Sequence, residues 1–362
     1  GATLPAAFGF SNPLLTDAAL QGYPWLAYTC RAFAEGRVPL WESQSYAGAP
    51  FVGPAMTAVF SPLTWAACLV PLPWATVALA LLKMVACGLG MAALARALGA
   101  TRPAAAVVAV AGTLNPFLVV WLENASDSVA AAAPWVLAAT VRASETPSRR
   151  AMAGLALTMG WLFVAGQPQT AFAVALCAAL LGLALVLQHP HPWRGVAALG
   201  VAAVAGVAVA AAQLFPFVEY LRESRVYVER AARAVNVSYT PARALVTAVA
   251  PDFFGNPANG PTILLTNAHA QPTNYVEQVA YPGLTLLVLA GVGLACGRRR
   301  AALPLAGIGA VALALKFGAP GALQVASALP LLRVSPLGRF GLVWMLSAAA
   351  LAALGLHALT RR

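Results

Sequence analysis

Nine apolar runs punctuate the chain, at residues of about 74–98, 103–121, 125–142, 150–166, 170–188, 195–213, 281–297, 301–316 and 338–360. A helix needs roughly 17 to 25 such residues to cross about 30 Å of hydrocarbon, so each run predicts a transmembrane helix. The polar connections between the runs alternate in character. One set holds Arg96, Arg102, Arg142, Arg149, Arg150, Arg194, Arg298, Arg299, Arg300, Arg361 and Arg362, with Glu145 as its acid. The opposite set receives Asp17, Glu35, Glu42, Glu123, Asp127, Glu219, Glu223, Glu229, Asp252 and Glu277, the remainder of the 11 acidic residues. Basic connections stay in the cytoplasm, which places the carboxylates outside.

Two outside segments are long, residues 1–73 and about 214–280, and divide the chain into a first outer loop (1–73), a helix bundle (74–213), a large outer loop (214–280) and C-terminal helices (281–362). Their Pro, Gly, Asn and aromatic content fits ordered loops that carry function. In the first, Thr16 is placed to cap a helix from Asp17 toward Gly36. Tyr23, Trp25, Leu26 and Phe33 give it apolar bulk and Arg31 stands four residues before Glu35, the pattern of a helix lying in the membrane interface. Residues 55–71 are apolar but broken by Pro54, Pro62 and Pro71, which predicts a re-entrant or interfacial segment. An outside start without an export signal leads to the expectation of an upstream signal-anchor helix, and of a further C-terminal part.

Composition agrees with lipid as the solvent: 60% of the 362 residues are hydrophobic and 9% are charged, with mean hydropathy of +0.77. That balance excludes a water-soluble domain. The net charge of +11 then reads as a topology signal and not as a nucleic-acid surface. Cys30, Cys68, Cys87, Cys177 and Cys296 are scattered, with neither a disulfide framework nor a zinc spacing. No phosphate-binding loop, nucleophile elbow or zinc-protease motif occurs. Gly88-Leu89-Gly90 and Gly291-Val292-Gly293 lie inside apolar runs, as small residues do where helices pack closely. His189, His191, His269 and His357 have no second ligand at metal spacing. Asn124-Ala125-Ser126 and Asn236-Val237-Ser238 fit a glycosylation sequon by chance.

Two charged residues stand apart. Lys83 falls within a span, where a charge is costly and marks function by default. Asp17 sits at the first turn of the interfacial helix, where the helix dipole favours its ionised form. It is either an ordinary helix-start aspartate or a base or cation ligand at the membrane surface.

The stretch Asp17-Ala18-Ala19-Leu20-Gln21-Gly22-Tyr23-Pro24-Trp25, followed by Gly36-Arg37-Val38-Pro39-Leu40-Trp41, Gly48-Ala49-Pro50-Phe51 and Phe60-Ser61-Pro62, resembles the N-terminal part of the YfhO-type family. These are bacterial multi-pass proteins grouped with the GT-C glycosyltransferases. Ala165-Gly166-Gln167-Pro168-Gln169-Thr170, Pro251-Asp252-Phe253-Phe254-Gly255-Asn256 and Tyr281-Pro282-Gly283 follow in the order of similar family segments. The resemblance implies an all-α integral membrane protein with a GT-C-like fold in the bacterial cytoplasmic membrane, its long loops extracytoplasmic. It also implies transfer of a sugar from a polyprenyl-phosphate donor to a cell-envelope acceptor.

That donor is embedded in lipid, which fits the absence of a nucleotide-binding loop. A lipid phosphate is a good leaving group, so one carboxylate receiving the acceptor's hydroxyl proton suffices. Asp17 is the residue that matches the family's base. Glu123 and Asp127 fall in the second outer loop, where the wider class holds the acceptor or a divalent metal such as magnesium or manganese. They are spaced as Glu123-Asn124-Ala125-Ser126-Asp127 and not as two aspartates one residue apart, so they equally fit acids flanking a tight turn. Arg31, Arg37, Arg222, Arg225 and Arg339 are candidates for holding the donor phosphate, or else interfacial anchors. The rival readings are a non-catalytic scaffold subunit of a larger membrane complex and, with no inverted repeat evident, a transporter or flippase.

Overall fold

The computed structural model describes residues 17–44, 47–232, 238–257, 259, 262–267 and 273–361. Thr16, Asn236, Val237, His269 and Arg362, named above, lie outside them. The described residues are mostly helical, with turns and loops between the helices and one short ladder, β1 (Trp41–Glu42) against β2 (Ala49–Pro50), which closes the loop after the first helix. A π-turn at Ala18–Gly22 leads into α1 (Tyr23–Ala34), so a helix stands over the stretch where the sequence predicts one, and the chain turns at Gly36 with φ of 71°. Residues 51–61 form turns and α2 (Pro62–Ala67) follows, a short apolar segment broken at its prolines.

The long helices come next: α3 (Leu72–Ala97), α4 (Arg102–Thr113) continued by α5 (Pro116–Val120), α6 (Ala125–Glu145), α7 (Arg149–Val164), α8 (Pro168–Val186) and α9 (Pro192–Val209). Proline in the first turn starts α3, α4, α5, α8 and α9, where its missing N–H costs nothing. Asn124 and Ser148 cap α6 and α7, each side chain accepting from a backbone N–H of the first turn. Beyond them come α10 (Ala211–Glu223), α11 (Arg225–Ala232), α12 (Tyr275–Gln278), α13 (Leu284–Cys296), α14 (Arg299–Lys316), α15 (Pro320–Ala328), α16 (Pro330–Arg333) and α17 (Phe340–Thr360).

Each of the nine apolar runs is therefore a helix. Five segments are long and apolar enough by themselves to cross a membrane: Leu72–Ala97, Arg102–Val120, Pro168–Val186, Pro192–Val209 and Leu337–Thr360. A sixth is obtained if Arg299–Lys316 and Pro320–Ala328, bent by 85° at Gly318, count as one broken span. The sequence reading does not anticipate that bend.

Two helices form the centre. α6 and α17 are buried along almost their whole length, and the others pack round them: α3, α7 and α8 on α6, α13 and α14 on α17. Small residues set the closest seam. A methyl group on Gly293 or Gly355 would lie 2.0 Å from a carbonyl oxygen of the facing helix, so α13 and α17 touch backbone to backbone. Gly90 likewise faces the Trp135 ring, which a methyl group there would meet at 2.7 Å. Both glycine patterns thus serve packing. The outer faces of α3 and α9 instead leave Leu81, Val85, Leu89, Val201, Val204 and Val207 exposed, as lipid-facing helices do.

Charge divides along the bundle axis. Arg142 at the end of α6 donates to the Ala93 carbonyl of α3 at 3.5 Å, and Arg300 at the head of α14 donates to the Gln188 carbonyl beyond α8 at 3.2 Å. The basic helix ends therefore share one end of the molecule, which we call the basic end. The first turns of α6 and α17 meet at the other.

Candidate functional site

The first turn of the α1 segment and the α5–α6 turn come together at the end opposite the arginines. Gly22 allows this approach, since a side chain there would meet the Glu123 carbonyl oxygen at 3.1 Å. Asn115 caps α5 by accepting from the Phe117 N–H at 2.8 Å, and Asn124 caps α6 by accepting from the Ser126 N–H at 3.1 Å. The two caps fix the 121–124 turn against α3. A narrow cleft of about 70 Å³ remains, lined by Asp17, Lys83, Glu123, Thr57, Thr64 and Thr76 among others.

Lys83 explains how a cation is tolerated in an apolar helix. Its ammonium donates to the carbonyls of Leu122 at 3.1 Å and Asn124 at 3.3 Å, and stands 3.8 Å from Asp127 Oδ2. Both charged side chains are fully enclosed. An intramembrane charge is thereby paired within the bundle. Glu123 is half-buried beside them with Oε2 lacking a hydrogen-bond partner. Burial raises its pKa above the ordinary carboxylate range, an effect that the nearby Lys83 charge opposes. Asp17 is exposed at the cleft mouth.

A second ionic group adjoins the first through Ser126. Arg339, at the head of α17, donates to Ser126 Oγ at 3.2 Å and pairs with Glu277 Oε1 at 3.2 Å, its guanidinium 3.8 Å above the Trp121 ring. Lys316, fully buried at the end of α14, donates to the Glu277 carbonyl at 2.6 Å. The Thr240 hydroxyl donates to the same carbonyl at 3.0 Å. Lys83, Asp127, Ser126, Arg339, Glu277 and Lys316 thus form a row linking α3, α6, α17 and α14. Lys316 and the role of Glu277 are absent from the sequence reading.

The candidates from the sequence fare differently. Asp17 and Glu123 come together in the cleft. Asp127 does not join them, because its carboxylate is enclosed against Lys83. Arg339 is committed to Glu277. Arg31, Arg37, Arg222 and Arg225 are exposed and lie outside the cleft lining. The expected Arg31–Glu35 pair is replaced by Arg37–Glu35, with Arg37 Nε donating at 2.8 Å; past Gly36 the chain turns back and brings Arg37 to the carboxylate. A divalent metal fits poorly at Glu123 and Asp127, since an ammonium holds the place that a cation would need. Among the described residues no three His, Cys, Asp or Glu stand together.

No family model matches the chain, and no curated protein matches it. The site's remaining feature is a disulfide between Cys30 of α1 and Cys68 just after α2, which corrects the expectation of unpaired cysteines. The two are 38 residues apart and no spacing rule singles them out. The bond staples the helix that follows Asp17 to the segment contributing Thr57 and Thr64 to the cleft.

Proposed function

We propose that this protein is a GT-C-type membrane glycosyltransferase of the YfhO kind, which moves a sugar from a polyprenyl-phosphate donor to an acceptor outside a bacterial cytoplasmic membrane. The observation that carries this reading is the meeting of Asp17, from the first loop, with Glu123, from the second, in one cleft walled by Lys83. A transferase acting on a lipid phosphate needs a base for the acceptor and a cation near the leaving phosphate. Both are present within that lining.

In this mechanism the exposed Asp17 carboxylate accepts the proton of the acceptor hydroxyl. The hydroxyl oxygen attacks the anomeric carbon, the bond from that carbon to the phosphate oxygen breaks, and the electron pair leaves on the lipid phosphate. The exposed Arg31, Arg37, Arg222 and Arg225 offer cations where the lipid headgroup arrives, and Lys83, held by Asp127, keeps the cleft wall from being purely acidic. No step requires a metal. We place the acidic end outside the cell and all nine helices across the membrane, with α15 turning off the outer end of α14. The arginine distribution supports this side assignment, and so does the Cys30–Cys68 disulfide, since such bonds persist in the periplasm and not in the cytosol.

Transfer of labelled sugar from a panel of polyprenyl-phosphate donors, in membranes carrying wild type or Asp17→Asn, tests the reading. A positioned base contributes roughly 10²- to 10⁴-fold, so the variant should lose transfer by about that factor at normal expression. Unchanged transfer would remove Asp17 from the mechanism. No transfer by wild type with any donor would leave the non-catalytic scaffold as the better description.

A further inference from the structure

Beside the cleft, and sharing Met56 with it, lies a larger chamber of about 460 Å³. It is walled by the end of α7, the start of α8, α10 and the loop at Pro54–Met56. The size is that of a small-molecule site. Its lining contains no Asp, Glu, Lys or Arg among the described residues. Five aromatic rings line it instead, those of Phe163, Phe172, Phe217, Tyr220 and Tyr227.

Three glutamines complete the wall: Gln167, Gln169 and Gln213. Gln167 and Gln213 are 7% and 0% exposed. The Oε1 atom of all three lacks a hydrogen-bond partner, although Gln213 Nε2 donates to the Val52 carbonyl at 2.8 Å. Leaving a buried acceptor unpaired is costly, so three beside one chamber call for a partner. Gly166 sets two of them in place. Its φ of 134° makes the tight α7–α8 turn, and a side chain on it would strike Ala125 at about 3.0 Å, which fixes the Gln167-Pro168-Gln169 corner to the head of α6.

The partition between cleft and chamber is strained. Ala55 and Ala58 adopt φ of 63° and 49°, a left-handed conformation rare outside glycine, and both are buried. The loop is held there by Thr57 Oγ1 donating to the Phe51 carbonyl at 3.0 Å and by the Ala55 N–H donating to the Val52 carbonyl at 3.0 Å. Strain of this kind persists where surroundings impose it, and it collects at ligand sites. Here it presents Met56 to both spaces.

Three ligand chemistries compete for such a chamber. A charged group would meet no counter-charge. A hydrocarbon chain would leave the amides unpaired. An uncharged ring with hydroxyls at its edge and C–H bonds on its faces suits both the amides and the aromatic surfaces. We propose that the chamber binds a neutral saccharide. On the transferase reading, on which this one assignment rests, the saccharide is that of the acceptor, because the donor's phosphate requires a cation.

Photolabelling tests the chamber without requiring transfer. Hexyl glucoside, galactoside and mannoside carrying a diazirine on the hexyl chain would be applied to the full-length protein in nanodiscs, with hexyl glucuronide and hexanol bearing the same group as controls. At least one neutral glycoside should label peptides spanning 163–172 and 213–227, with protection by the matching methyl glycoside. The glucuronide and the alcohol should label about tenfold less. Losing two ligand hydrogen bonds of roughly 0.5–1.5 kcal/mol each, Gln167→Leu/Gln169→Leu should weaken labelling about tenfold or more. Equal labelling by hexanol, unprotected labelling, or none by any glycoside would overturn the proposal, and the competition experiment on wild type decides even if the double variant fails to fold. Failure here would leave the Asp17 result standing, and an inactive wild type would leave the labelling result standing.

Discussion

Lys83 and Asp127 show what a single charge does inside a bundle of alanine and leucine. Lys83 has three partners, two carbonyls and a carboxylate, whereas neither oxygen of Asp127 has a hydrogen bond. The pair is therefore unequal. Lys83→Met would strand a buried carboxylate and should lower stability by about 3–5 kcal/mol. Asp127→Asn leaves the ammonium its two carbonyls and should cost less, and Lys83→Met/Asp127→Leu, with both charges gone, should recover most of the loss. Thermal unfolding of the purified variants in one detergent checks the order; a double variant no more stable than Lys83→Met would mean that the two charges do not act as a pair. Lys83 was legible in the sequence because it interrupts the middle of an apolar run. Lys316 was not, since a lysine at the end of the 301–316 run reads as an ordinary boundary, and it is the packing of Glu277 and α17 onto α14 that encloses it.

At the scale of elements, apolar run length located the helices well, because lipid and buried core both demand satisfied backbone groups over a fixed length. The helix after Asp17 was legible too, from its aromatic and aliphatic bulk and the glycine that follows it. What the sequence hid depends on chain reversal: the 85° break after Lys316, the Glu35–Arg37 pairing, the glutamine corner after Gly166, and the union of Cys30 with Cys68. That union ties α1 to α2 across 38 residues. Constraining a loop of this length in the unfolded chain is worth about 4 kcal/mol. Cys30→Ser/Cys68→Ser should therefore unfold at lower temperature, while wild type should gain two maleimide-reactive thiols only after reduction. Reactive thiols at both positions without reductant would show the bond to be absent from the native protein.

The whole molecule is polarised, with arginine-bearing helix ends joined at one pole and the Asp17–Glu123 cleft at the other. The two central helices differ from the rest for a physical reason. α6 carries Ser126, Asp127 and Ser128 in its first turn, all buried, because its neighbours and not lipid are its solvent. Composition alone undercounts such a helix. The polarity predicts which pole faces the cytoplasm, and cysteines introduced in a Cys296→Ser background test it. Glu219→Cys should react with an impermeant maleimide in intact cells, and Arg150→Cys only after permeabilisation, both side chains being exposed in the folded protein. The reverse pattern would turn the cleft toward the cytoplasm. There a soluble activated sugar would be within reach, the Cys30–Cys68 bond would face a reducing compartment, and the argument for a lipid-borne donor would lose its basis.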